Sequence, residues 1–345
     1  MEHIPIKNIY YLLSYAWNKL DERDRLMVSA DEITDLPDLF AKILINATRL
    51  LLKRGIDRHY IEYTGEIAGI KGKLAISETI KRNVLASQKT ICVYDDLSAD
   101  ILINRILIST LYLLTKTRQL DLQLKRELIA LLKMLPFIQL ITPTPAVFKK
   151  VQFNRNNRFY GFIVDVCQII YENSLPTETK GEYVFSDFTR NERKMSQLFE
   201  AFVRNFYRRR QSEYKIVKKE TIYWQFNSEN SEALQFVPDM ETDITLENET
   251  RKIIIDTKFY REMMAISYGR EKIISSNLYQ LFSYLLNQEK GDPKTLRATG
   301  ILLYPTIKKE YNLHYTHKAH SVQIRTVDLS VDWCNIEDQL LRIIE

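Results

Sequence analysis

Hydrophobic residues in the first half of the chain repeat mainly at the spacing of α-helices. Apolar positions recur every three or four residues over residues 6–20 and 36–53, and again in two stretches between residues 99 and 135. Residues 60–74 instead alternate and contain three glycines, which is typical of short strands joined by tight turns. The pattern therefore predicts a mixed helical and β N-terminal half.

The second half begins with helical spacing and then changes to the alternation of strands. The predicted helices cover residues 159–173, 191–210, 276–286 and 336–344, and the predicted strands cover residues 183–188, 222–224, 234–237, 244–246, 253–255, 299–305 and 322–329. Helix, hairpin, strand, helix and strand in this order predict an α/β fold.

The length of 345 residues allows about two domains of ordinary size. Pro176 and Gly181 mark a loop between the two patterns, and we place the boundary somewhat before it. We divide the chain into an α+β N-terminal domain, residues 1–165, and a C-terminal α/β domain, residues 166–345.

Composition and charge exclude few classes of function. Hydrophobic residues make up 45% of the chain and charged residues 27%, which predicts a folded protein, and the formal charge of +5 permits nucleic-acid contact without requiring it. The three cysteines are far apart and have apolar neighbours, so we expect buried free thiols. The N-terminus lacks the pattern of a signal peptide and no stretch reaches about 18 apolar residues, so a cytoplasmic protein without a membrane span is expected.

Acidic and basic residues at the ends of two predicted strands are the main candidates for chemistry. Asp243 precedes one strand, and Asp256 and Lys258 end the next, whose three isoleucines predict burial on both faces. With a turn near Asn248 we expect Asp243 to lie opposite Ile254 and diagonally beside Asp256. Because charge at such a place is unfavourable for packing, we infer a functional reason for it, namely two carboxylates that share a Mg²⁺ ion.

Three further side chains belong to the same hypothesis. Gln280 and Tyr284 lie four residues apart on one face of a predicted helix, and Glu200 lies on the long helix before the β-rich part. Asp239 is an alternative to Asp243, because it also precedes the hairpin. Asp243, Asp256-Thr257-Lys258 and the Gln280/Tyr284 pair together resemble the PD-(D/E)xK nucleases of the RecB-like branch. That resemblance implies that Glu200 is an additional metal or water ligand, although a solvated helix-face glutamate is the simpler interpretation.

Other motifs give weaker signals. Residues 65–74 lack the glycine and the Ser or Thr that a phosphate-binding loop needs around its glycine-lysine pair, so nucleotide binding is not expected there. His314, His317 and His320 follow one another at three-residue steps in an extended segment, which does not favour a zinc site. Arg208, Arg209 and Arg210 form the densest basic cluster, and either DNA contact or a solvated helix end explains it.

Motifs along nearly the whole chain resemble the McrC family, the nuclease subunits of McrBC modification-dependent restriction systems. The similar segments are residues 4–17, Gly69-Ile70-Lys71-Gly72-Lys73, Arg190-Asn191-Glu192, Met240-Glu241-Thr242-Asp243-Ile244 and Asp256-Thr257-Lys258-Phe259-Tyr260. The position of the superfamily's Pro-Asp pair is here occupied by Thr242-Asp243, and the Pro238-Asp239 pair stands just before it.

The resemblance implies a function and a partner. McrC-like proteins dock through their N-terminal region on an McrB-like AAA+ ring, which binds GTP and reads methylated cytosine in double-stranded DNA. They stimulate GTP hydrolysis and supply the cleaving site. By this resemblance Asp243 and Asp256 bind Mg²⁺, Lys258 is catalytic, residues 1–165 are the docking domain, and residues 65–74 are one candidate contact. A non-catalytic activator with a nuclease-like fold and a stand-alone exonuclease are the alternatives.

Overall fold

The computed structural model describes residues 4–17, 35–155, 157–179, 181–226, 231–260, 264–267, 270–306 and 309–345. The helices of these residues are α1 (Ile6–Ala16), α2 (Leu36–Arg54), α3 (Ile76–Lys81), α4 (Leu102–Thr115), α5 (Leu122–Met134), α6 (Pro145–Lys149), α7 (Tyr160–Asn173), α8 (Glu192–Arg210), α9 (Ser275–Asn287), α10 (Pro293–Leu296) and α11 (Trp333–Ile344). The strands are β1 (His59–Ala68), β2 (Lys73–Leu74), β3 (Lys89–Ser98), β4 (Ser174–Pro176), β5 (Tyr183–Phe185), β6 (Ile216–Lys218), β7 (Thr221–Ile222), β8 (Met240–Glu241), β9 (Ile244–Glu247), β10 (Lys252–Thr257), β11 (Met264–Ser267), β12 (Arg270–Ile273), β13 (Thr299–Thr306), β14 (Asn312–His317) and β15 (His320–Asp328).

The chain divides into two compact units. One consists mainly of residues 33–186, and the other combines residues 187–345 with the described N-terminal residues 4–17. The expected boundary at residues 165 and 166 falls inside α7, and the N-terminal helix α1 belongs to the C-terminal unit. The boundary lies later because α7 buries Ile163, Val166 and Ile170 in the first unit. The docking role assigned to residues 1–165 stays a prediction.

The unit of residues 33–186 packs helices together with a three-stranded antiparallel sheet of order β1-β3-β2. Pro37 stands in the first turn of α2, and Gly55, with φ of +87°, ends this helix as its sequence indicates. β1 is one continuous strand that passes through Gly65, so the expected break there is wrong. The turn to β2 needs Gly72, since φ is +69° and a Cβ atom would lie 2.5 Å from the Val93 carbonyl oxygen.

The C-terminal unit is built on a six-stranded mixed sheet of order β14-β15-β13-β10-β9-β6. The central strands β10, β13 and β15 run parallel, and the strands β14, β9 and β6 are antiparallel to their neighbours. Helix α9 packs on one face of this sheet, where Leu281 and Leu285 meet Ile254 and Leu302. Gly300 allows the approach, because a Cβ atom there would lie 2.9 Å from Leu285 Cδ1.

Helix α1 joins this unit through aromatic and polar contacts. Its Tyr15 packs against Phe202 of α8 and Trp333 of α11. Asn205 of α8 donates from Nδ2 to the carbonyl oxygens at the end of α1, those of Tyr15 and Ala16. These bonds satisfy carbonyls that a helix end leaves without partners, so α1 is fixed to α8.

Most of the predicted elements are confirmed, with a few differences. Residues 231–236 form a 3-10 helix instead of the predicted strand at 234–237, and the strands β3, β4, β6, β11, β12 and β14 were not predicted. Cys92 and Cys167 are buried free thiols as expected, whereas Cys334 is exposed. None of the helices in the described ranges is long and apolar enough to cross a membrane.

Candidate active site

The two predicted acids meet at the end of the β9–β10 hairpin. Ile255 pairs with Ile244, so the register continued by one residue sets Asp243 level with Asp256. The expected position opposite Ile254 is therefore wrong by two residues. The turn is centred one residue later than expected, because the Asn248 side chain accepts hydrogen bonds from the N–H groups of Thr250 and Arg251 and so closes a loop of residues 248–251.

Asp256 is a buried carboxylate with little compensation. Its side chain is 0% exposed, and neither of its oxygens accepts a well-aligned hydrogen bond from a described residue. Lys258 Nζ lies 2.8 Å from Oδ2 as an ion pair. Burial raises the pKa of Asp256 to about 7, Lys258 opposes the shift, and the charges of Asp243 and Glu200 add to it. An unpaired buried oxygen of this kind can bind a cation.

Asp243 is fixed by the residue that follows Asp256. Its Oδ2 accepts hydrogen bonds from Thr257 N at 2.8 Å and from Thr257 Oγ1 at 2.7 Å. Burial raises the pKa of Asp243, the Thr257 hydroxyl opposes this, and the charge of Glu200 adds to it. One oxygen of Asp243 is thus anchored to β10, and the carboxylate is held beside Asp256.

A line of hydrogen bonds connects Lys258 to helix α9. Lys258 Nζ donates to Gln280 Oε1 at 2.9 Å, and Gln280 Nε2 donates to the Tyr284 hydroxyl at 2.7 Å. The Tyr284 hydroxyl donates in turn to the Glu241 carbonyl oxygen at 2.9 Å. The two α9 residues therefore orient the ammonium group and tie it to the segment that carries Asp243.

Glu200 lies at the same site, but two cations hold it. Its Oε1 accepts from Arg204 Nη1 at 2.6 Å and lies 2.7 Å from Lys219 Nζ. Its charge contributes to the raised pKa values of both Asp243 and Asp256. No group of three acidic, His or Cys residues close enough to hold a metal ion occurs among the described residues.

The loop before Asp243 is held by residues that sequence reasoning missed. Thr242 N donates to the Glu220 carbonyl oxygen and Glu220 N donates to Thr242 Oγ1, each at 3.0 Å. Lys252, which is buried, donates from Nζ to Glu220 Oε1 at 3.0 Å. A lysine at the start of a buried strand was a usable signal, since such a residue needs an acidic partner.

The remaining candidates lie apart from these contacts or are already paired. Asp239 is exposed, whereas Asp243 makes the contacts to Thr257. Arg208 donates to the Val217 carbonyl oxygen, and Arg210 pairs with Glu337. The histidines face separate partners: His314 contacts Ser321, and buried His320 contacts Glu289 and the Ala298 carbonyl oxygen.

Comparison with known proteins identifies the family of the chain. Residues 7–305 match the family model for the McrBC 5-methylcytosine restriction system component. The chain is 35% identical over 344 residues to a protein of Escherichia coli K12, the type IV methyl-directed restriction enzyme EcoKMcrBC, covering 99% of this chain and 97% of that one. A solved structure of Thermococcus gammatolerans McrB AAA+ hexamers with bound McrC is similar in fold, with 16% identity and a TM-score of 0.60 over 99% of this chain and 76% of that one. The chain therefore belongs to the McrBC 5-methylcytosine restriction family, as its sequence motifs predicted.

Proposed function

We propose that this chain is the McrC-type nuclease subunit of a restriction complex and that it cleaves DNA phosphodiesters with the help of Mg²⁺. The observation that carries the proposal is Asp256, a fully buried acid with an unpaired oxygen beside Asp243 and Lys258. Mg²⁺ is commonly bound by one or two carboxylates, with water and substrate phosphate completing its shell. The donor set therefore fits this ion without a third acidic ligand.

Each residue of the site has a role in this proposal. Asp243 and Asp256 would hold the cation, which when bound would supply Lewis acidity to a water molecule and to the phosphate. Lys258 orients the attacking water or stabilises the negative charge that grows on the phosphate. Gln280 and Tyr284 hold Lys258 in place through their hydrogen-bond line.

The low-dielectric setting of Asp256 suits this chemistry. In the absence of a cation, burial favours its protonated form, so ion binding and loss of a proton are coupled. A cation that binds there replaces the missing compensation for a buried negative charge. Asp256 therefore destabilises the folded protein when no cation is bound and contributes to the affinity for the cation.

Docking on a GTP-hydrolysing AAA+ ring of the McrB type is the second part of the proposal. The Thermococcus gammatolerans relative in fold is part of an assembly of McrB hexamers with McrC. In this chain the turn between β1 and β2 presents Ile70, 71% exposed, and Lys71, which lies over the Tyr94 ring. An exposed apolar residue at the tip of a hairpin can contact a partner protein. Recognition of methylated cytosine and GTP binding then belong to the partner.

Cleavage of methylated and unmethylated duplexes by the chain, its partner, GTP and Mg²⁺ tests the nuclease assignment. Lys258→Ala should abolish cutting and leave stimulation of GTP hydrolysis intact, because Lys258 and the proposed docking turn belong to different compact units. Lys290→Ala, at an exposed position, is the matched control and should change neither activity. Cutting that survives Lys258→Ala would contradict the assignment.

The docking turn needs a separate test. Ile70→Asp should reduce both binding to the partner and GTPase stimulation, because it puts a charge on the apolar tip. Ile216→Asp, at a partly exposed apolar position of the other unit, is the control and should bind the partner normally. A partner-activating protein without any nuclease activity would respond to Ile70→Asp and ignore Lys258→Ala, so the two variants together separate an enzyme from a non-catalytic activator.

A further inference from the structure

Two cations at the candidate active site converge on one carboxylate oxygen. Arg204 Nη1 and Lys219 Nζ lie 2.6 Å and 2.7 Å from Glu200 Oε1. Arg204 reaches Glu200 from one turn further along α8, whereas Lys219 comes from the segment between β6 and β7. Two positive groups that meet at one oxygen form a binding site for an anion, and Glu200 fills it from within the chain.

We propose that Arg204 and Lys219 bind a DNA backbone phosphate next to the cleaved bond, and that Glu200 occupies their site until DNA arrives. This inference rests on the proposed nuclease function and adds a substrate contact to the same site. A phosphodiester fits the two cations because two non-bridging oxygens share its single negative charge. Each cation can then bond to its own oxygen, whereas both now meet at Glu200 Oε1. A phosphodiester is also the group whose cleavage is proposed at the neighbouring residues Asp243, Asp256 and Lys258.

The surroundings support an exchangeable pair rather than a fixed structural bridge. The Lys219 side chain is 38% exposed and also lies 3.6 Å from Glu241, so it can move between acceptors. Arg204 is less exposed, at 16%, and Nη1 lies 3.4 Å from the Asp243 carbonyl oxygen. Lys219 is thus the more exposed member and Arg204 the more buried one, and the contact of Arg204 keeps the anion site beside Asp243.

Charge balance gives a reason for the exchange. Glu200 adds negative charge to a site that already contains Asp243 and Asp256, and it raises the pKa of both. The negative charge of Glu200 would repel an incoming phosphate if no cation compensated it. Holding Glu200 between two cations reduces the repulsion in the free protein, and transfer of the cations to the phosphate leaves Glu200 free to face a bound divalent ion.

Direct DNA binding by the full chain tests the exchange without cleavage. The probe is a fluorescein-labelled 20-base-pair duplex in EDTA, with fluorescence anisotropy recorded over a range of salt concentrations. Lys219→Met should weaken binding by about five-fold and reduce the slope of log K against log salt by about 1, because one phosphate contact is lost. Glu200→Gln should act in the opposite direction, tightening binding and steepening the slope, because it frees both cations.

Lys215 offers a matched control for net charge. It pairs with Glu249 in an exposed ion pair at 3.2 Å, so Lys215→Met and Glu249→Gln change the charge of the protein as the test variants do. Both controls should shift binding less than two-fold. Equal effects of Lys219→Met and Lys215→Met would overturn the inference, and so would a Glu200→Gln variant that binds DNA no more tightly than the unchanged chain.

The double variant Glu200→Gln/Lys219→Met and the cleavage assay complete the design. The double variant should bind DNA between the two single variants, because Arg204 remains free to contact the phosphate. In the complex with the partner, Lys219→Met should raise KM for DNA more than it lowers kcat. If Lys258→Ala abolishes cleavage while Lys219→Met leaves binding and KM unchanged, the nuclease assignment stands and the phosphate site is refuted.

Discussion

Replacing Asp256 by Asn should make the metal-free protein more stable while it removes nuclease activity. The buried acid has a pKa raised to about 7 from an ordinary value of 3.8. A folded-state pKa above the unfolded one means that the folded protein binds the proton more tightly. The contribution of Asp256 to the free energy of unfolding is therefore neutral below about pH 4, becomes unfavourable as pH rises from 4 to 7, and is fully unfavourable above that.

The size of the effect follows from the shift. About three pKa units at 1.36 kcal/mol each set an upper limit of about 4 kcal/mol at pH 8. Asn leaves Lys258 without its ion-pair partner, although the ammonium keeps its bond to Gln280 and is 14% exposed. Allowing about half of the limit for that loss, we expect a gain of about 2 kcal/mol, or a rise in melting temperature of about 4 to 8 °C for a unit of this size.

Thermal unfolding in EDTA at pH 5 and pH 8 measures this gain. The difference between the variant and the unchanged chain should be small at pH 5 and large at pH 8, and the subtraction cancels other titrating groups common to both proteins. Asp239→Asn is the control, because this acid is exposed and lies outside the site contacts. Adding Mg²⁺ should stabilise the unchanged chain and not Asp256→Asn, since a ligand stabilises only the state that binds it.

A variant that melts below the unchanged chain at pH 8 would refute the reasoning. A difference that does not grow between pH 5 and pH 8 would do so as well, because the penalty is assigned to the ionised form of Asp256. Stabilisation of Asp256→Asn by Mg²⁺ equal to that of the unchanged chain would show that the cation binds elsewhere.

Three other predictions concern the metal, the site and the sheet. Because protons compete with Mg²⁺ for Asp256, the Mg²⁺ affinity measured by calorimetry should be about ten-fold weaker at pH 6 than at pH 8. Equal affinities would contradict the role of Asp256 as a metal ligand. Tyr284→Phe loses both hydrogen bonds of the hydroxyl and should slow cleavage by about ten-fold, while the free energy of unfolding should fall by about 1 kcal/mol or less. An unchanged cleavage rate would contradict a role for Tyr284 in positioning Lys258. Gly300→Ala should lower the free energy of unfolding in urea by about 1 to 3 kcal/mol, because the added Cβ would press on Leu285. Gly65→Ala is the control and should change little, since open space surrounds Gly65. Equal effects of the two substitutions would contradict this packing argument.

The sequence predicted the elements of the candidate site because they depend on short-range patterns. Alternation and a run of isoleucines predict β9 and β10, and a four-residue spacing predicts that Gln280 and Tyr284 share a face of α9. The structure adds that this face meets Lys258. These features survive because each depends on residues within one strand or one helical turn.

Long-range pairings were not accessible in the same way. Lys219 lies nineteen positions after Glu200 in the sequence, in a stretch whose strands are two or three residues long, and nothing in its neighbours indicates that it folds back on α8. The attachment of α1 to the C-terminal unit depends on Asn205 and on aromatic contacts across the whole chain. A strand was predicted at residues 234–237 because the apolar residues Leu234 and Phe236 alternate in the sequence. In the structure both side chains remain exposed, and the segment 231–236 forms a 3-10 helix.

The grouping of Asp243, Asp256 and Glu200 bears on the choice between a nuclease and a non-catalytic activator. Burial disfavours the charged form of Asp256, Thr257 holds one oxygen of Asp243, and two cations contact Glu200 beside these acids. A scaffold that only activates a partner gains nothing from a buried acid that one lysine compensates in part, and Asn or Leu at position 256 would remove the cost of burying its charge. A protein that binds a divalent ion and a phosphate at this place uses all of these features at once, because the ion compensates the acids and the phosphate takes over the cations. The nuclease interpretation therefore accounts for the unfavourable charges, and the activator interpretation leaves them without a cause.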